Sequence, residues 1–141
     1  MKKKIAILGS TGSIGKTTFN IVKKNRKEFE VVLLTTNKNI NEISKQARIL
    51  KAKNILITSK SHYLKAKKKL KKSNLKIYND LNDLNKIFNK KIDYIMCAIS
   101  GLEGLRPTLD VIQFTKNIAI ANKESLICGW NLIEKKLKKH N

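Results

Sequence analysis

The chain has 141 residues, enough for one domain with its own core and no need of disulfide or metal staples. Hydrophobic residues make up 41%, and no apolar run approaches the ~18–20 residues of a membrane span, so no membrane partner is expected. Thirty-one Lys and Arg against ten Asp and Glu give a formal charge of +21, yet only three of the cations are arginines. Guanidinium forks that read bases or phosphates bidentately are therefore scarce. The 28 lysines come with many asparagines and isoleucines, the residues of AT-rich codons. The charge is read as composition, and no nucleic acid is expected as a partner. The competing class, a basic nucleic-acid module, has only the net charge behind it.

Cys97 and Cys128 match no metal spacing and suggest no disulfide framework, which makes a reducing cytoplasm the expected compartment. The apolar stretch Ile5 to Leu8 is too short for a signal-peptide core. A plastid origin after removal of a transit peptide is left open.

Ile5 to Leu8 reads as a buried parallel strand ending in Gly9. A helix follows over Thr17 to Lys24, then a strand over Glu30 to Leu34. Ile43, Ala47 and Leu50 mark a helical stripe within Asn41 to Lys51. Asn54 to Thr58 is a third strand, and Ser59 to Lys72 a lysine-rich helix. Leu75 to Tyr78 is a short strand, and Asp80 opens a helix carrying Leu81, Leu84 and Phe88. Asp93 to Ala98 is a strong strand. Leu102 to Phe114 is a helix with Pro107 tolerable only near its first turn. Asn117 to Ala121 is the last strand. Ser125 to Lys138 is a helix with Gly129 as its weak point. Strand and helix alternate throughout. The predicted fold class is α/β: Rossmann-like and doubly wound, a mainly parallel sheet with helices on both faces, in a single domain over 1–141.

The densest signal is Gly9-Ser10-Thr11-Gly12-Ser13-Ile14-Gly15, between the first strand and the first helix. Gly9 permits the tight turn, Gly12 lets backbone approach a pyrophosphate, and Gly15 lets the helix pack close to the sheet. The N–H groups of the first helical turn then hold the anion. A P-loop is excluded, because it requires glycine where Ser10 stands, and because Asp93 lies at the start rather than the end of its strand. The second strand ends in Leu34-Thr35-Thr36-Asn37-Lys38-Asn39, with a cation and no carboxylate for a ribose 2′-hydroxyl. That favours NADP over NAD.

Farther on, Cys97-Ala98-Ile99-Ser100-Gly101 leaves room for a ligand at a strand's carboxyl end. Asn122-Lys123-Glu124 places an amide, an ammonium and a carboxylate at the end of the last strand. Asn122 suits a ribose or nicotinamide, Lys123 an anionic substrate group, and Glu124 a hydroxyl; a helix cap with solvated charges is the plainer alternative. Tyr63 and Lys67 have the spacing of a short-chain reductase pair, the mark of another NADP-dependent Rossmann oxidoreductase. They lie in the middle helix, far from where that chemistry is placed.

The glycine segment, Lys38-Asn39, Gly101-Leu-Glu-Gly-Leu-Arg-Pro-Thr-Leu109 and Ile118-Ala-Ile-Ala-Asn-Lys-Glu-Ser-Leu126 together resemble 1-deoxy-D-xylulose 5-phosphate reductoisomerases. The resemblance runs over essentially the whole chain and is to the N-terminal NADPH-binding domain. It implies isomerisation of 1-deoxy-D-xylulose 5-phosphate and NADPH-dependent reduction to 2-C-methyl-D-erythritol 4-phosphate, in non-mevalonate isoprenoid biosynthesis. It implies a homodimer that needs Mg2+ or Mn2+. By the same resemblance, Thr11, Gly12, Ser13 and Ile14 contact the NADPH pyrophosphate, and Asn37, Lys38 and Asn39 hold the adenosine 2′-phosphate. Asn122 and Glu124 contact NADPH, and Lys123 the sugar phosphate. Where many members have glycine, this chain has Asn37, which tolerates φ > 0 better than most residues. The metal ligands and catalytic residues are expected beyond Asn141, so the 141 residues alone are expected to be inactive, a fragment of the enzyme.

Overall fold

A computed structural model describes residues 1–140. Strands β1 (Lys3–Leu8), β2 (Phe29–Thr36), β3 (Asn54–Ile57), β4 (Lys76–Tyr78), β5 (Ile92–Cys97) and β6 (Thr115–Ile120) form one parallel sheet. Their order is β4-β3-β2-β1-β5-β6. The helices are α1 (Ser13–Lys24), α2 (Ile40–Leu50), α3 (Lys60–Lys69), α4 (Leu84–Ile87), α5 (Leu105–Val111) and α6 (Lys123–His140). This is the doubly wound, Rossmann-like architecture that the alternation of elements predicts.

The inner strand segments, such as residues 5–8 and 55–57, are apolar because both faces of the sheet are covered there, and polar residues stand at the amino ends of β1, β5 and β6. Side chains alternate with a period of two. Ile5 and Ile7 therefore join Phe19 and Val22 of α1 and Ile43 and Ala47 of α2 on one face. Ala6 and Leu8 join Leu84, Phe88 and Val111 on the other.

Several boundaries differ from the sequence expectation, each for a local reason. Helix α1 starts at Ser13 rather than Thr17, since the glycine loop supplies its first turn and Lys16 N donates to Gly12 O at 2.8 Å. The helix expected after Asp80 begins as a 3-10 turn over Leu81–Asp83, opened by Asp80 Oδ1 accepting from Asn82 N at 2.8 Å, and continues as the one turn of α4. Helix α4 stops at Ile87 because Phe88 turns extended and buries its ring 5.3 Å from that of Phe114. The segment 102–114 is divided into a 3-10 turn, α5 and a second 3-10 turn. Pro107 sits in the first turn of α5, where no intrahelical donor is missed. Gly129 is not a weak point. A Cβ there would lie 2.2 Å from Leu105 Cδ1, so its absence lets α6 close onto α5.

Asp93 lies at the amino ends of the strands, away from the end where parallel sheets bind ligands. Its carboxylate accepts from Lys116 Nζ and from Lys4 N, each at 2.8 Å. The Lys116 hydrogen bond first, and the Lys4 N–H second, hold its pKa below the ordinary carboxylate value. A depressed folded-state pKa contributes stability that is present above the unfolded value and lost as pH falls through the folded one. Acid titration of the melting temperature below about pH 4 should therefore show a fall that is shallower in Asp93→Asn. An equally steep fall in the variant would remove Asp93 from the acid response.

Among the described residues, no helix is long and apolar enough to cross a membrane.

Candidate functional site

The sheet changes winding direction between β1 and β5, which are neighbours although β2 to β4 intervene in sequence. Helix α1 leaves β1 onto one face, and α5 follows β5 onto the other. A crevice therefore opens at the carboxyl ends of these two strands, the place where such sheets take ligands.

The three loop glycines answer different needs. Gly9 turns out of β1 at φ +73°, and a Cβ there would stand 2.9 Å from the Ala98 carbonyl oxygen. At Gly15 a Cβ would come within 2.1 Å of Gly9 O and 2.6 Å of Ser10 Cα, so only glycine lets α1 close onto the loop. Gly12 is different. Its φ of −77° and ψ of 178° suit any residue, and the nearest atom to an added Cβ would be Gly9 O at 3.6 Å. Nothing in the chain itself requires glycine there. Gly12 is the N-cap of α1, no side chain caps that helix, and its first turn carries no acid. Gly12, Ser13 and Ile14 are exposed. An uncapped helix start beside an unfilled Cβ position fits a phosphate drawn to the backbone N–H groups.

Two strand threonines, not singled out from sequence as part of the site, hold the loop. Thr35 accepts from Gly9 N through Oγ1 and from Ser10 N through its carbonyl, each at 2.9 Å. Thr36 Oγ1 lies 2.6 Å from Thr11 Oγ1 and accepts from Asn39 N at 3.4 Å. Both threonines are buried. Both stand in β2, which runs two residues past Leu34.

Asn37, Lys38 and Asn39 follow β2 at the same end of the sheet and are exposed. Asn39 Oδ1 accepts from Glu42 N at 3.1 Å and caps α2. The left-handed turn anticipated at Asn37 is not adopted. Among the described residues, Lys51 is the one non-glycine residue with positive φ. Asn37 is instead tied to the loop after β3, its Oδ1 accepting from Thr58 Oγ1 at 3.2 Å and its carbonyl from Ser59 N at 3.1 Å.

On the other side of the crevice, Asn122 is 5% exposed. Its Nδ2 donates to Ile99 O at 2.7 Å and to Gly101 O. Its Oδ1 accepts from Ser125 N at 3.1 Å in the first turn of α6. Both amide hydrogens are thus spent on clamping the loop after β5 to the start of α6. A Cβ at Gly104 would lie 2.6 Å from Asn122 Nδ2, so that glycine makes room for the clamp. Lys123 is exposed, and Glu124 is half-buried in the first turn of α6, where an acid also suits the helix dipole.

Cys97 is buried, and burial pushes its thiol up to about 11 against a weaker opposing hydrogen bond from Thr108. It is a packing residue and not a nucleophile. Tyr63 and Lys67 both lie on α3, Lys67 Nζ 5.9 Å from the ring centre, on the β3–β4 wing and remote from β5 and β6.

The family model for 1-deoxy-D-xylulose 5-phosphate reductoisomerase matches residues 5–129. The reductoisomerase of Pelagibacter ubique is 56% identical over 140 residues, covering 98% of this chain and 36% of that protein. That of Wolbachia pipientis subsp. Culex pipiens is 39% identical, covering 99% of this chain and 36% of its own length. The chain thus spans about a third of these relatives. Among solved structures, the Zymomonas mobilis reductoisomerase in complex with NADPH superposes with a TM-score of 0.89 at 31% identity, over 99% of this chain and 37% of that one. A reductoisomerase bound to NADPH, fosmidomycin and magnesium gives 0.87 at 29% identity, over 98% and 34%. With a matching family model across most of its length and the same fold as these enzymes, the chain belongs to the 1-deoxy-D-xylulose 5-phosphate reductoisomerase family.

Proposed function

We propose that residues 1–141 form the NADPH-binding domain of a reductoisomerase that converts 1-deoxy-D-xylulose 5-phosphate to 2-C-methyl-D-erythritol 4-phosphate. The observation that carries this is Gly12, a glycine that the chain's own packing does not need, at the uncapped start of α1. When bound, NADPH supplies the hydride for the reductive step. The chain's own residues bind and orient it. Backbone N–H groups of Thr11, Ser13 and Ile14 surround the pyrophosphate, which the dipole of α1 favours. Gly9 and Gly15 shape that cradle. Lys38, flanked by Asn37 and Asn39, neutralises the 2′-phosphate.

At the nicotinamide end, Asn122 acts by fixing the loops around Gly101, and its contact with the cofactor falls to its carbonyl or backbone, since its amide hydrogens are already used. Glu124 meets a cofactor hydroxyl. Lys123 meets the anionic substrate from the first turn of α6. The Mg2+ or Mn2+ of the complete enzyme, its ligands and its homodimer contacts are assigned to segments outside these residues, and the cytoplasm to the whole protein.

Lys38→Met tests the phosphate assignment. Loss of a charge-assisted contact to the 2′-phosphate should weaken NADPH by about tenfold or more. NADH, which lacks that group, should bind the variant as it binds the parent. Equal weakening of both, or of neither, would remove Lys38 from the site.

A further inference from the structure

Gln46 is a fully buried amide on α2, at 0% exposure. Its Nε2 donates to Ser10 O at 3.0 Å and to Glu42 Oε1 at 3.1 Å. Its Oε1 is buried without a hydrogen-bond partner. Buried polar atoms are nearly always paired, so a residue that leaves one unpaired is a poor choice for packing alone. What Gln46 does is join two places. Ser10 lies inside the glycine cradle. Glu42 N is held by Asn39 Oδ1, the cap of α2 and the neighbour of Lys38. Gln46 thus ties the cradle to the Glu42 carboxylate in the first turn of α2, and the backbone N–H of the same residue holds the Asn39 cap beside the turn that would carry the 2′-phosphate.

We infer that Gln46 is a positioning residue that sets the separation between the pyrophosphate cradle and the 2′-phosphate turn, and so sets the preference for a 2′-phosphorylated dinucleotide. The inference rests on the NADPH reading above. The cradle has independent support from Thr35, which receives both Gly9 N and Ser10 N. The turn is tied to the loop after β3 at Asn37, but at its α2 end Asn39 N reaches Thr36 Oγ1 only at 3.4 Å. Removing Gln46 should therefore displace the turn and spare the cradle. NADH, which shares the cradle and the nicotinamide end but has no 2′-phosphate, should be nearly unaffected. NADPH must meet both places at once.

The test is a titration of the chain and its variants with NADPH and with NADH, beside their thermal melts. Gln46→Met keeps the volume and removes the donor. Glu42→Ala frees Gln46 from its second acceptor at a half-buried position while keeping the backbone N–H that Asn39 accepts from, and Glu42→Gln keeps an acceptor for Gln46. The expected result is an NADPH affinity lowered about tenfold in Gln46→Met and Glu42→Ala, the worth of one such hydrogen bond. NADH affinity should be unchanged, and Glu42→Gln should bind like the parent. A merely structural role would weaken both cofactors together, and that result in either loss variant overturns the inference. An unchanged preference in both loss variants overturns it too. If the parent chain itself shows no preference for NADPH, the cofactor reading fails first and the inference with it.

Discussion

Gly12→Asp should stabilise the chain and abolish its cofactor binding at once. The φ and ψ of Gly12 are those of a helix N-cap, and α1 has no side-chain cap and no acid in its first turn. An aspartate there can accept from the N–H groups of that turn, which stabilises the helix start by about a few tenths of a kcal/mol over glycine, and its charge at the positive end of the helix dipole adds roughly 0.3–1 kcal/mol. It also adds a negative charge to a chain of net +21. A Cβ added there meets no atom of the chain closer than ordinary contact. The same carboxylate would occupy the position proposed for the pyrophosphate and saturate its donors. Like charges brought together cost several kcal/mol, so NADPH should weaken by at least about a hundredfold. Calorimetric melting and a binding titration on one preparation would show the opposite signs. A variant that is stabilised and still binds NADPH normally would mean that the phosphate lies elsewhere.

Gly15→Ala should act in the opposite way, through the fold. An added Cβ would sit 2.1 Å from Gly9 O and within 2.7 Å of Ser10 backbone atoms, none of which can swing aside as a side chain could. Helix α1 would have to lift from the loop, separating Phe19 and Val22 from Ile5 and Ile7. Overpacking against backbone places the cost at about 3 kcal/mol or more. For a chain of this size that is a melting temperature lower by roughly 10 °C. Gly12 and Gly15 stand in one motif three residues apart, yet the first is expected to be a binding position and the second a packing position. A melt of Gly15→Ala that matches the parent would show that α1 can shift without loss.

The alternation of apolar strands with amphipathic helices was enough to read the parallel sheet, because strands buried on both faces advertise themselves as continuous runs such as Ile5-Ala6-Ile7-Leu8. The glycine loop was legible for a similar reason: its spacing reports a backbone shape. The supports of that loop were not. Thr35, Thr36 and Gln46 carry ordinary polar side chains, and a buried hydroxyl or amide looks like a surface one until the tertiary fold gives it a partner. Gln46 did leave a trace, since it stands within the stripe of Ile43, Ala47 and Leu50 on the buried side of α2. From its charged neighbours Asn122 reads either as a ligand-facing amide or as a helix cap, and its Oδ1 takes the cap's place at the start of α6. Its burial and its three hydrogen bonds follow from contacts with residues more than twenty positions away as well as with Ser125, and those distant contacts cannot be read locally. Phe88 was placed on a helix because it continues the Leu81, Leu84 spacing, but the pull of its ring toward Phe114 ends α4 one residue sooner.

The most direct measurement is a fluorescence titration of this chain with NADPH and, separately, with NADH, repeated at low and at physiological salt. Saturable one-to-one binding, tighter for NADPH and little changed by salt, is expected from a fixed backbone cradle with one lysine at the 2′-phosphate. Weak binding of both cofactors alike, collapsing as salt rises, would mean that the lysines attract any phosphate. The assignment of this domain to NADPH would then be contradicted.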